Sequence, residues 1–165
     1  MKVLVAYQSV SGNTRKVAEA IFKEIKADKE LKELNAVKDL KGYDLSFIGF
    51  PIHAYGPANE AKDFIEKHVT GKDIALFITH ASTEDEPQVQ SWLATCKIAA
   101  SSANILGLFH CRGELAQNVA DMMIGSKDPQ LAAWADRRKE TLGQPDRGRL
   151  KKARKFAKEI MGKYK

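Results

Sequence analysis

Apolar residues fall along the chain in short blocks with two different periods. Residues 2–7 (KVLVAY) are a run without polar alternation and too short for a helix, which predicts a buried strand. A polar turn containing Gly12 follows at 8–13. Val17, Ala18, Ile21, Phe22 and Ile25 then recur at helical spacing and predict a helix over 14–27. The strand, turn and helix repeat. Residues 44–50 (DLSFIGF) predict a strand ending at Pro51, and a loop with His53, Tyr55, Gly56 and Pro57 leads into a helix from about Ala58, with Ala61, Phe64, Ile65 and Val69 on one face. Residues 73–79 (DIALFIT) predict the next strand, and 80–86 a polar loop. Pro87 suits the first turn of a helix running to about 102. Residues 104–110 (NILGLFH) predict another strand, and the weaker segment 34–37 (LNAV) completes five.

Strands that alternate with helices and lack half-exposed alternation predict a parallel sheet covered on both faces. Right-handed crossovers make a doubly wound α/β sheet the leading topology. After Cys111 the pattern changes. A helical turn or two at 114–123 and a helix from Asp128-Pro129 to about Leu142 precede a final helix over 147–162. The expected organisation is one domain, 1–165, with a helical insert at about 112–145.

Composition narrows the setting. The chain has 165 residues, 44% of them hydrophobic, which suits one sizeable core. No apolar run approaches the roughly 20 residues that span a bilayer. Lys2 leads directly into the first strand with no signal-peptide pattern, so a cytoplasmic location is expected. Cys96 and Cys111 form no Cys-x-x-Cys pair and are read as reduced, buried thiols; no metal site is expected. The net charge of +6 is unevenly spread. Residues 147–165 hold nine Lys or Arg and one acid, a local charge of +8, so the remaining 146 residues carry −2. The basic character belongs to the final helix, which argues against nucleic-acid binding by the surface at large. That helix is read as a solvated charged face or as a docking surface for an acidic partner or anionic membrane.

In open parallel sheets, ligands bind outside the carboxyl ends of the strands. That gathers the loops 8–14, 51–58 and 80–87. In the first, hydroxyls from Ser9, Ser11 and Thr14 and the amide of Asn13 surround Gly12 where a helix begins. Free N–H groups and the helix dipole favour an anion there, and Gly12 lets the backbone approach closely. The loop is neither Gly-x-x-x-x-Gly-Lys-Ser/Thr nor Gly-x-Gly-x-x-Gly. It also lacks a phosphatase cysteine and the acids of a phosphoacceptor domain.

The segment Ser9-Val10-Ser11-Gly12-Asn13-Thr14 between strand and helix resembles the FMN phosphate loop of flavodoxins. The resemblance continues through Gly49-Phe50-Pro51-Ile52-His53-Ala54-Tyr55-Gly56 and covers about residues 2–111 and the last helix. It implies a flavodoxin-like doubly wound sheet of five strands in the order 2-1-3-4-5 with FMN bound non-covalently. On that likeness Ser9, Ser11, Asn13 and Thr14 bind the phosphate, with backbone from Val10 and Gly12. Pro51, Ile52, His53, Ala54, Tyr55 and Gly56 line one side of the ring. His80, Ala81, Ser82 and Thr83 line its other edge. Tyr55 is the candidate stacking residue, or alternatively a loop aromatic packed on its own domain. Two departures stand out: the third loop lacks the usual aromatic, and the chain is basic where carriers of this family are acidic.

His53 and His80 are read as flavin hydrogen-bonding groups or loop caps, His110 as core or site, and His68 as a solvated or capping residue. Trp92 and Trp134 are read as core, and Glu84-Asp85-Glu86 as a solvated turn. The functional expectation is an electron carrier passing electrons from FMN to a partner oxidoreductase. The alternatives are an NAD(P)H-dependent reductase of quinones or other small acceptors, with the insert as a lid, and a flavin-free interaction module.

Overall fold

The computed structural model describes residues 1–164; Lys165, one of the basic residues counted above, lies outside the described residues. The elements follow as β1 (Lys2–Tyr7), α1 (Asn13–Glu24), β2 (Asp28–Glu33), a 3-10 turn (Leu34–Ala36), β3 (Leu45–His53), β4 (Gly56–Pro57), α2 (Asn59–His68), β5 (Asp73–His80), α3 (Pro87–Ala99), β6 (Asn104–Arg112), α4 (Gln117–Gly125), α5 (Pro129–Asp136), α6 (Arg138–Thr141) and α7 (Arg147–Lys163). The parallel sheet runs β2-β1-β3-β5-β6, and the two-residue β4 pairs antiparallel with β3. Setting β4 aside, this is the expected order 2-1-3-4-5 in a flavodoxin-like α/β fold.

The apolar blocks become two cores, one on each face. Leu4, Ile48, Phe50, Leu76 and Ile78 point to the side covered by α2 and α3, where Phe64, Ile65, Trp92 and Leu93 pack. Val3, Val5, Phe47, Ala75 and Phe77 point to the side covered by α1 and α7, meeting Val17, Ile21, Phe156 and Ile160. Phe47, Phe50 and Phe77 are fully buried, each contributing about 1.5–3 kcal/mol of transfer free energy. Gly49 is the counterpart of Phe77. It is the β3 partner of Phe77 in the ladder, and a Cβ there would lie 1.9 Å from the phenyl ring. Only glycine lets that ring lie on the sheet.

The second strand lies elsewhere than expected. Residues 34–37 form a 3-10 turn and its exit, and the strand is Asp28–Glu33. The reason is its edge position. β2 pairs only with β1, from Lys2↔Asp28 to Tyr7↔Glu33, so five of its six side chains are charged and one, Leu31, packs on the core. Edge strands carry charge in this way. Glu30 takes Lys2 at 2.9 Å and Lys32 at 2.8 Å. The apolar signal at 34–37 came from Leu34, which is buried although it is not in a strand.

Other boundaries shift less. α1 ends at Glu24, where Ile25 turns extended and stays buried. The helix expected over 128–142 is broken at Arg137 into α5 and α6. No helix among the described residues is long and apolar enough to cross a membrane.

Candidate functional site

The three loops named from the sequence all leave the carboxyl ends of β1, β3 and β5, which are neighbours in the sheet. In the first, Gly12 is the N-cap of α1 with φ +94° and supplies no side-chain cap of its own. The first turn holds no acid and carries Arg15 and Lys16 instead, an arrangement that opposes the helix dipole unless an anion sits there. The Ser9 hydroxyl accepts from the backbone N–H groups of Gly12 (3.1 Å) and Arg15 (3.3 Å), curling the loop on itself. Thr14 is buried, its hydroxyl 2.9 Å from that of Thr79 on β5. The Asn13 amide donates to the Glu114 carbonyl at 2.8 Å. Thus Asn13 and Thr14 anchor the loop to β5 and to the chain beyond β6. Ser11 and Val10 are exposed.

The second loop is a hairpin tip. Ile52↔Pro57 and His53↔Gly56 pair across β3 and β4, leaving Ala54 and Tyr55 as a two-residue turn. Both have positive φ, 49° and 68°, as a type I′ turn demands. Neither is glycine, and such conformations cost about 1–3 kcal/mol each. The strain therefore sits at Ala54-Tyr55, one residue before Gly56. Pro51 and Ile52 are half-buried, His53 is exposed, and Gly56 is buried. Tyr55 is 66% exposed, its ring 6.2 Å from that of Trp92.

The third loop pairs a buried histidine with a half-buried one. His80 closes β5 at 6% exposure. Its Nε2 is 3.0 Å from Nδ1 of His110 on β6, and its ring lies 6.3 Å from Trp92. Burial, and after it the neighbouring His110, pushes the His80 pKa down to about 4, so the ring is neutral. Its Nδ1 and the Ser82 hydroxyl are buried without a partner. Thr83 donates from both N–H and hydroxyl to Glu86.

Both the chain beyond β6 and α7 are joined to this loop by ion pairs. Arg137 meets Glu86 through two contacts, at 2.5 and 3.2 Å, and Arg149 meets Glu84 at 2.5 and 2.9 Å. The Arg137 hydrogen bond, reinforced by Thr83, brings Glu86 down to about 2. Burial pushes Glu84 upward, but Arg149 and the Arg112 backbone N–H more than reverse this, leaving it also at about 2. Only Asp85 of the acidic triplet is exposed, so the expected solvated turn is instead a double anchor. Ala81 packs with Val119 and Met123 of α4 against Leu115, Ala120 and Ala135, and Trp134 of α5 lies 5.7 Å from Trp92. Trp92 is buried as expected, yet it also links Tyr55, His80 and the insert. No local pattern marks these pairings, because the partners are 51 and 65 residues apart.

This donor set fits the phosphorylated flavin that the loop motif implies. It offers an uncapped helix start without acids, exposed Ser11, and orphaned polar atoms on His80 and Ser82 beside three loops. The comparisons agree with that geometry. A flavodoxin domain family model matches residues 4–158. The flavodoxin-like domain-containing protein BilS of Clostridioides difficile is 30% identical over 171 residues, spanning 98% of this chain and 97% of that protein. Among solved structures, oxidised flavodoxin 2 from Bacillus cereus matches with TM-score 0.62 at 18% identity, covering 99% of both chains. A flavoprotein in complex with FMN from Lactobacillus acidophilus matches with TM-score 0.55 at 24% identity, over 73% of this chain and 97% of that one. From its motif, its sheet order and its full-length match, the chain belongs to the flavodoxin domain family.

Proposed function

We propose that the protein binds FMN non-covalently and passes electrons to a partner oxidoreductase. The observation that carries the flavin reading is the start of α1: Gly12 at positive φ, no side-chain cap and no acid in the first turn. Ser9, Val10, Ser11, Gly12, Asn13 and Thr14 would hold the phosphate. Ser11 offers its side chain, the helix start offers backbone N–H groups, and Asn13 and Thr14 keep the loop in shape through Glu114 and Thr79. Pro51 to Gly56 and His80 to Thr83 would flank the ring, with Tyr55 its aromatic cover. When bound, FMN supplies the redox chemistry, and the protein sets its binding and orientation. The neutral His80 adds no charge beside it.

A carrier needs a face for its partner. Val10 and Tyr55 are exposed apolar side chains on two of the loops. On α7, Arg147, Lys151, Lys152 and Lys155 are exposed, and among the described residues their only ion pair is Lys155 with Glu159 at 3.9 Å. This surface fits an acidic partner, and unequal charge of this kind steers encounter. Two free, buried cysteines, Cys96 and Cys111, suit a reducing cytoplasmic setting.

One observation favours a second reading, an NAD(P)H-dependent reductase: the insert packs on Ala81 and Trp92 of the ring end, where a lid would sit. The visible absorption spectrum of the purified protein, with identification of the released cofactor, tests the flavin reading. A colourless protein that stays colourless after added FMN overturns it in favour of a flavin-free module. Steady NAD(P)H consumption with a small acceptor and no partner protein would replace the carrier by the reductase.

A further inference from the structure

Beside the first loop lies a cavity of about 220 Å³, below the ~300–1,000 Å³ of sites for drug-sized ligands. Its size suits an anion rather than an isoalloxazine ring. Ser11, Asn13 and Lys16 line it from the start of α1, and Glu114, Gln117 and Arg138 from the insert. Lys16 has no acidic partner among the described residues. Arg138 reaches Glu114 only at 3.4 Å, and its Nε is buried with no partner at all. Glu114, the one carboxylate present, is already engaged by the Gly143 backbone N–H at 3.1 Å. Ala116, the N-cap of α4, also borders the cavity, and its helix start has neither a side-chain cap nor a first-turn acid.

Two cations against one carboxylate leave the lining with a net positive charge. The two helix starts add to that field, since neither N-cap residue supplies a side chain and Ser9 takes up just the Arg15 N–H of α1. An unpartnered guanidinium nitrogen away from water is costly unless a ligand satisfies it. Arginine suits phosphate because its planar fork donates in pairs.

We propose that this cavity seats the flavin phosphate as a dianion, with Lys16 of α1 and Arg138 of the insert as charged phosphate ligands that the hydroxyl loop alone does not supply. The insert then serves the phosphate end of the site and makes the chain select phosphorylated flavin over riboflavin. This rests on the FMN reading above.

The test uses the full chain stripped of flavin, with FMN and riboflavin affinities read from quenching of flavin fluorescence. Lys16→Gln and Arg138→Gln are each expected to weaken FMN about tenfold, the effect of one charge-assisted hydrogen bond, while riboflavin affinity stays unchanged. Arg138→Lys should recover part of the loss, and Glu114→Gln should tighten FMN. Added salt should weaken FMN binding less in the Lys16→Gln and Arg138→Gln variants than in the native chain. Lys16 is exposed and unpaired, so its variant remains a fair test if Arg138→Gln disturbs folding. Unchanged FMN affinity in Lys16→Gln, or equal losses for FMN and riboflavin in both variants, overturns this proposal alone. Failure of the native chain to bind either flavin overturns the FMN reading and this one together.

Discussion

Acidification should expose buried His80, paired with half-buried His110, as a weak point. His80 is 6% exposed, touches His110 through a ring-to-ring hydrogen bond and sits against Trp92. Burial lowers its pKa from 6.5 to about 4. Between these values the unfolded chain binds a proton that the folded chain refuses, so stability rises with pH and is lost as pH falls through this window. Working the linkage through at pH 7 and pH 5 gives a loss of about 2 kcal/mol, approaching ~3 kcal/mol near pH 4. The carboxylates near the pair act in a lower window. Glu84 and Glu86, held at about 2, stabilise the fold above pH 4.5 and lose that contribution only as pH falls from there towards 2. His110, also lowered by burial, acts in the same direction. Urea unfolding of flavin-free protein, followed by tryptophan fluorescence and far-UV circular dichroism at pH 7 and 5, measures the loss. At the slopes of ~1–3 kcal/mol/M usual in urea, the midpoint should fall by about 1 M with the slope unchanged. His80→Gln should remove most of this pH dependence. Equal stability of the native chain at both pH values, or an equally large fall in His80→Gln, would refute the reasoning.

Further outcomes follow from packing and hydrogen bonding. Gly49→Ala drives a methyl group into the Phe77 ring and should cost ~1–3 kcal/mol or more, read as a lowered melting temperature. Thr14→Val leaves the Thr79 hydroxyl unpaired in a buried position and should cost ~1–2 kcal/mol in urea unfolding. Glu86→Gln removes the charge that Arg137 and Thr83 hold and should cost about 1–2 kcal/mol in urea unfolding, while limited proteolysis within 113–146 accelerates. Ala54→Gly relieves one positive-φ strain and should raise stability by about 1 kcal/mol.

The parts of the fold that were legible in the sequence are those where burial and period agree. β1, β3 and β5 are buried on both faces along most of their length, and β6, though an edge strand and only half-buried, keeps an apolar run against the helices. β2 was misplaced because an edge strand need not be apolar: Asp28–Glu33 carries its identity in its ladder to β1, which no local pattern records. At the site, Gly12 and its hydroxyl neighbours could be read because a turn before a helix has local rules. The strain at Ala54-Tyr55 could not, since neither residue type prefers positive φ. Glu84 and Glu86 looked like solvent-facing acids because their arginine partners lie on α7 and the insert, far along the chain. Lys16 and Arg138 escaped notice for the same reason, since a single exposed-looking cation has meaning only beside the cavity it lines.

The two-residue hairpin between β3 and β4 has a kinetic consequence. A long loop drifts through many intermediate shapes, but a two-residue turn has few permitted geometries, and the unprimed types splay its strands. Ala54 and Tyr55 cannot relax by degrees. Leaving positive φ means rotating a whole peptide unit and opening the His53↔Gly56 and Ile52↔Pro57 ladder. Any movement of Tyr55, carried on that tip, would then be between discrete positions rather than a sway. In magnetic resonance this would appear as slow-exchange broadening confined to residues 53–57, with the neighbouring strands quiet.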